Sequence, residues 1–281
     1  LAVFAVCVGG FIPCTDGSED ESTDAPEPAS LVAKSEKEAR LTAMREMAKR
    51  FLVRRAADEQ RIELFRDEPV FRYSDQPRGF ADATVWCWGS QGRPIVLAKI
   101  EMARLPNGTP YWNFCVASLA NGNVDVELGK SFRLNTKKAG IEFHAMPAAP
   151  QPAEKPAGRQ RQMKDLVGQF AATINVDVGR DTRQEMRLLP TPVHRYSDDA
   201  AGIRDGTIFA LTTNGTNPDT LIIIELNGPA QTVPTWQYGV VRMTTGEVRI
   251  RLNGEEVWTW AQQPEKETWH YFKLPRKEET P

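Results

Sequence analysis

Residues 69–75 read PVFRYSD and residues 192–198 read PVHRYSD, an offset of 123. Carried without gaps to Gly92 and Gly215, that offset gives about 10 identities in 24 positions, where chance predicts about one or two. One inserted residue then moves the offset to 124. Pro94, Ile100, Glu101, Trp112 and Leu128 now match Pro218, Ile224, Glu225, Trp236 and Leu252. The chain carries an internal duplication, so the question of its fold becomes the fold of one copy.

Upstream of each repeated heptad lies a helical spacing. Leu41, Met44, Met47, Ala48, Phe51 and Leu52 recur at three- and four-residue steps, as do Met163, Leu166, Val167, Phe170 and Ile174. Downstream the pattern turns strand-like, at 84–88, 94–101, 111–119 and 124–128, and again at 207–211, 220–225, 236–243 and 248–252. The strand from Pro94, and more clearly Leu221–Ile224, is apolar on successive residues, as a strand covered on both faces is. Val124, Val126 and Leu128 alternate with Asp125 and Glu127, which gives that strand one wet face. Short breaks favour antiparallel neighbours. The expectation is an α+β fold of two homologous repeats, each one helix packed on an antiparallel meander sheet, with a cystatin-like or NTF2-like element order.

The flanks set the organisation. Residues 1–13, LAVFAVCVGGFIP, are uncharged and read as the core of an export signal; Cys14 is a weaker candidate for lipid attachment, because Phe11–Ile12–Pro13 lacks small residues. No run approaches the roughly 20 apolar residues of a membrane span. Acidic, Pro- and Ser-bearing residues follow, and a second such stretch, PAAPQPAEKPAG at 147–158, splits the remainder nearly in half. The expected order is a partial signal peptide (1–14), an acidic disordered tether (15–33), the first repeat (34–147), a Pro/Ala linker (148–158), the second repeat (159–276) and a tail (277–281). With 281 residues, 41 % hydrophobic, 26 % charged and a net charge of -2, the composition is globular and has no basic field for nucleic acid.

Candidate sites come in pairs. Arg72, Tyr73 and Asp75, with Arg195, Tyr196 and Asp198, have the chemistry to present a polar site twice; the plainer reading is a strand end entering a turn, with each Arg paired to Glu101 or Glu225. Trp86 and Trp88, two apart on a strand, share a face with the chemistry of a stacking platform, and Trp112 and Trp236 join them as suspects. Phe209 and Leu211 hold the positions of Trp86 and Trp88 in the second copy, which is the pattern of a packed core. Cys87 and Cys115 align with Ala210 and Gly239, and in a simple meander another strand separates them, beyond disulfide reach. They read as buried free thiols; a different strand order in an oxidising compartment favours a bridge. His144, His194 and His270 sit in no metal or nucleophile motif, and nothing points to a metal or other cofactor. Asp125 and Glu127 align with Arg249 and Arg251, so the equivalent wet faces carry opposite charge and have the means to meet.

At PVFRYSD (69–75), DATVWCWGSQGRPIVLAKIE (82–101) and WNFCVASL (112–119), the sequence is similar to exported proteins of planctomycete-type bacteria. The resemblance covers most of residues 40–128; it implies an extracytoplasmic setting and supplies no activity, cofactor or catalytic residue. The functional expectation is a secreted or periplasmic non-catalytic binding or interaction protein, its partner a protein or glycan of the cell envelope, with possible contact between the two repeats. The alternatives are a structural envelope protein, or a hydrolase whose site is to be sought first at Cys87, Glu101, His144, His194 and Glu225.

Overall fold

The computed structural model describes residues 28–56, 61–64, 66–89, 92–177, 179–180, 182–228, 233–262 and 267–276. The expected signal peptide, most of the expected tether and the tail lie outside them. The chain divides into a segment Leu1–Glu36 and a compact unit Lys37–Pro281 that contains both copies.

The first half comprises α1 (Pro28–Lys49), β1 (Phe51–Arg55), β2 (Arg61–Ile62), β3 (Phe71–Asp75), β4 (Phe80–Trp88), β5 (Val96–Arg104), β6 (Pro110–Ser118), β7 (Val124–Leu128), β8 (Phe132–Asn135) and β9 (Phe143–Ala145). The second comprises α2 (Pro156–Val167), β10 (Phe170–Asn175), β11 (Gln184–Glu185), β12 (Arg187–Leu188), β13 (His194–Asp198), β14 (Ile203–Thr212), β15 (Thr220–Asn227), β16 (Thr235–Arg242), β17 (Glu247–Leu252), β18 (Glu255–Trp260) and β19 (Trp269–Pro275). The fold is mainly β, with 49 % strand against 14 % helix, and this overturns the expected α+β repeats. The reason lies in the residues assigned to the helices. Phe51 and Val53 alternate with half-exposed Leu52 and Arg54, and buried Phe170, Ala172 and Ile174 alternate in the same way, so the apolar stripe passes from a helical to a two-residue period without a break.

That extra strand changes the architecture. No cystatin-like or NTF2-like sheet wraps one helix; each copy spreads over two sheets. A first outer sheet runs β2-β1-β7-β8 and a first inner sheet β19-β6-β5-β4-β3. A second inner sheet runs β12-β14-β15-β16-β9, with β13 also on β14, and a second outer sheet runs β11-β10-β17-β18. Neighbouring strands are antiparallel throughout. Three apolar clusters fill the successive gaps between these four sheets, which stand face to face as neighbouring blades of a four-bladed propeller do.

Strand parity explains which residue meets which gap. On β5, Val96, Ala98 and Ile100 join the cluster shared with the first outer sheet, while Leu97 joins the one between the copies. On β15, Ile222 and Ile224 face the second outer sheet, while Leu221 and Ile223 face the first copy. Both strands are covered on both faces, as their continuous apolar runs require. Glu101 and Glu225, by the same parity, fall on the faces that meet between the copies.

The copies also exchange strands. β9 follows the first copy yet pairs with β16, Phe143 opposite Gly239. β19 follows the second copy yet pairs with β6, Tyr271 opposite Cys115. Gly239 and Cys115 are aligned residues, so Tyr271 occupies in the first inner sheet the place Phe143 holds in the second. The stretch between the repeats is docked: Met146 donates its backbone N–H to Trp236 O at 2.9 Å, and Trp236 Nε1 donates to Pro150 O at 3.2 Å.

Candidate functional site

The repeated Arg-Tyr-Ser-Asp is consumed internally, one residue at a time. Arg72 donates to both oxygens of buried Asp82, at 2.9 and 2.6 Å, and to the α1 carbonyl of Lys37 at 2.7 Å, with Arg40 on the same carboxylate. Arg195 does the same to Asp205, at 2.9 and 2.7 Å, and to Pro156 O of α2 at 2.9 Å, with Arg159 beside it. In both copies the arginine clamps the helix onto the inner sheet. Its partner is Asp82 or Asp205 rather than Glu101 or Glu225.

Tyr73 and Tyr196 reach the repeated glutamates instead. Tyr73 donates to Glu101 Oε1 at 2.6 Å, and Tyr196 to Glu225 Oε1 at 2.5 Å. In the first nest Asn113 and Tyr271 donate to Glu101 Oε2, Tyr271 at 3.0 Å, and Lys99 Nζ lies 3.6 Å from Oε1. In the second, Gln237 donates to Glu225 Oε2 at 3.0 Å, and Arg93, sent across from the first copy, donates to both oxygens at 3.1 Å. Arg93 also covers the Phe143 ring at 4.5 Å. Burial first, then the adjacent carboxylate charge, raises Tyr73, Tyr196 and Tyr271 well above the usual phenol range, so all three remain donors.

The turn after each heptad meets the glycine-bearing loop of the other copy. Thr216 N donates to Ser74 O at 3.4 Å, and Asn217 Nδ2 donates to Asp75 Oδ2 at 3.0 Å. Gly92, at φ 70°, has no room for a Cβ against Asp198. Gly215, at φ 54°, has none against Ser74 O. The motif quoted first is thus the contact between the two copies.

The suspected aromatic platform is core. Trp86, Trp88, Trp112 and Trp236 are 1–7 % exposed, and Trp86 Nε1 is satisfied within its own strand by Thr84 Oγ1 at 2.8 Å. Cys87 and Cys115 are free and buried, with β5 between their strands. Burial raises Cys87 and pushes Cys115 up to about 12, so neither is a ready thiolate. His194, pushed down to about 4 by burial and then by Arg66, stacks on Tyr196, while His144 lies against Tyr238 and Trp258. Glu127 pairs with Arg133 and Arg249 with Glu247, each within its own outer sheet. Among the described residues no group of three or more His, Cys, Asp or Glu side chains is placed to hold a metal ion. Among them, too, no helix is long and apolar enough to cross a membrane.

One concavity, of about 270 Å³, lies against Ala48, Phe51, Ile62 and Trp88, and another opens where β6, β16, β18 and β19 converge. The latter has about 190 Å³ of space, lined by Ser118, Arg242, Trp258, Trp260, Thr268 and Trp269 among others. Trp258 and Trp260 are half-buried, two apart on one face of β18, with ring centroids 5.9 Å apart. Register places Leu134 and Thr136 at the corresponding positions of the first copy, so the tryptophan pair belongs to the second copy alone. Arg242 stacks on Trp269 at 4.6 Å and donates to the carbonyls of Thr244, Thr245, Gly246 and Ala261, which makes it the anchor of this corner. The sequence shows Trp258 and Trp260 plainly. Only the pairing of β18 with β17 reveals that they flank a cleft.

No protein-family model matches the chain, and no curated protein and no solved structure is similar to it.

Proposed function

We propose that the chain is a non-catalytic binding protein of the extracytoplasmic space, and that its ligand contact is the cleft at Trp258 and Trp260. The observation that carries this reading is the half-buried tryptophan pair, present in one copy only, at the rim of a concave space. A flat indole face beside polar Ser118 and Thr268 suits a sugar ring, which offers an apolar face and hydroxyl edges together. At about 190 Å³ the cleft is smaller than the roughly 300–1,000 Å³ of a drug-sized site, so it takes one ring of an envelope glycan rather than a whole small molecule. The setting rests on the apolar stretch 1–13 and on the resemblance to exported proteins.

A structural envelope role is the second reading, supported by the burial of the four suspected tryptophans and by the interlocked copies. Titrating the chain with a panel of neutral and acidic oligosaccharides, followed by tryptophan fluorescence, separates the two. Binding that Trp258→Ala and Trp260→Ala each weaken tenfold or more, while Trp86→Phe leaves it unchanged, supports the cleft. A flat response from every oligosaccharide sinks it and leaves the structural role.

A further inference from the structure

Lys99 is a cation set in an otherwise covered strand, between Ala98 and Ile100, and its counterpart in the second copy is Ile223. Its Nζ lies 2.7 Å from Asn217 Oδ1, one bond from the carboxamide carbon, and 3.0 Å from Pro218 O. Glu101 Oε1 stands 3.6 Å from the same nitrogen. On the far side of the amide, Asn217 Nδ2 donates to Asp75 Oδ2 at 3.0 Å, and Asp75 Oδ1 has no hydrogen-bond partner among the described residues. Lys99, Glu101, Asp75 and Asn217 are each no more than 1 % exposed. An amine is therefore held against an amide in a water-poor place, with one carboxylate at the attacking nitrogen and another at the leaving one.

We propose that Lys99 and Asn217 join in an isopeptide bond that locks the first copy covalently to the second. Glu101 accepts one proton from the Lys99 ammonium, and the lone pair so freed attacks Cγ of Asn217. The Nζ–Cγ bond forms as the carbonyl π electrons move onto Oδ1. Nζ sheds a second proton directly to Nδ2 across the tetrahedral carbon, with Asp75 holding Nδ2 in place through its N–H. The carbonyl re-forms, the Cγ–Nδ2 bond breaks, and ammonia leaves, taking up the proton held by Glu101 as ammonium. One ammonium and one carboxamide become one secondary amide and one ammonium ion, with no change of oxidation state. Fixed proximity replaces a bimolecular encounter, which is how so sluggish a reaction proceeds without a cofactor. The product leaves the Glu101 carboxylate held by the neutral donors Tyr73, Asn113 and Tyr271 in place of the ammonium.

The twin site shows why one bond and not two. Asn217 aligns with Arg93 and Lys99 with Ile223, so the second nest has neither amine nor amide and holds Glu225 by an ion pair. Strand exchange already interlocks the copies; the isopeptide closes a loop between residues 118 positions apart, Lys99 and Asn217. This proposal is independent of the glycan reading, since the cleft residues take no part in it.

The test is mass spectrometry of the purified chain. Under denaturing conditions it is expected one ammonia lighter than its sequence, and a protease digest is expected to contain a branched peptide joining the Lys99 and Asn217 fragments. The branched peptide is decisive, because succinimide formation at Asn107–Gly108 or Asn121–Gly122 also expels ammonia. Glu101→Gln, which keeps the shape and loses the base, is expected to lose the branched peptide, and Asn217→Ala to lose it entirely. Recovery of separate linear fragments from the unmodified chain overturns the proposal whether or not the variants fold. A branched peptide at undiminished yield in Glu101→Gln overturns the part assigned to Glu101.

Discussion

Glu101 sits with Lys99, Asn113 and Tyr271, and Glu225 sits with Arg93, Gln237 and Phe143, although the two carboxylates hold the same place in their copies. Before any bond joins Lys99 to Asn217, each buried carboxylate has one cation, but the first nest draws it from its own strand and the second from the other copy. Where position 93 supplies Arg, position 223 is free to be Ile; where position 217 is Asn, position 99 has to supply the charge. Duplication has conserved the charge balance of the nest and let its source move, as expected when an unpaired buried carboxylate is the costly state and the identity of its partner is not. Arg93→Ala leaves Glu225 without a cation and is expected to cost about 3–5 kcal/mol in urea unfolding, the largest effect of any change considered. Adding Ile223→Lys and Asn at position 93 transplants the first nest into the second and is expected to recover most of that loss. No recovery breaks the equivalence of the nests.

The loops that cross between the copies differ next. Gly92 and Gly215 both have positive φ, but a Cβ at Gly92 meets the Asp198 side chain at 2.6 Å, while one at Gly215 meets the Ser74 backbone carbonyl at 2.6 Å. Asp198 Oδ2 can turn aside, but Asp198 Cβ, at 2.7 Å, is fixed to its backbone, so only part of the Gly92 clash is relieved, while the Ser74 carbonyl is held by Thr216 N. Gly215→Ala is therefore expected to cost about 2–3 kcal/mol and Gly92→Ala about 1–2 kcal/mol, read from the urea midpoints of the two variants. Equal costs dissolve the distinction. Smaller again is Tyr271→Phe, which gives the first nest the Phe143 of the second; Asn113 still serves Oε2, so a loss of about 1 kcal/mol is expected by the same measurement.

One inner strand and one outer strand were legible because their residues leave little choice. Leu221–Ile224 is apolar on both parities, and Val124, Val126 and Leu128 on one, and both strands lie where those patterns put them. The mainly-β architecture was not, because Phe51 and Phe170 fit a helical stripe and a strand equally well and only pairing with β7 and β17 decides between them. The exchange of β9 and β19 left no local trace either, since a strand's sequence records that it is half-covered and not by which copy. Of the site residues, Arg72, Tyr73, Asp75, Glu101 and their twins were visible as repeats, but repetition marks whatever both copies need, and here that is the contact between them. Lys99 carried the sharper signal: a lone ammonium in a run covered on both faces has to be paired, and its replacement by Ile223 marks the place where the copies part.

The smallest expected effect concerns the one residue that breaks the heptad, His194 in place of Phe71. Burial, and then Arg66, hold the His194 imidazole down from 6.5 to about 4, so the folded chain resists a proton that the unfolded chain accepts. A depressed folded value means that stability is fully present above pH 6.5 and is lost as pH falls towards about 4. Carboxylates titrate over part of the same range, so the informative quantity is the difference between the wild type and His194→Phe, which borrows the residue of the other copy. That difference is expected to be flat above pH 6.5 and to move in favour of the Phe variant below it. Partial exposure of the ring screens the effect to about 0.5 kcal/mol. Urea unfolding of both chains at pH 7, 6 and 5 measures it, and parallel curves across that range overturn the part assigned to burial of the His194 ring, which stacks on Tyr196 at 5.9 Å.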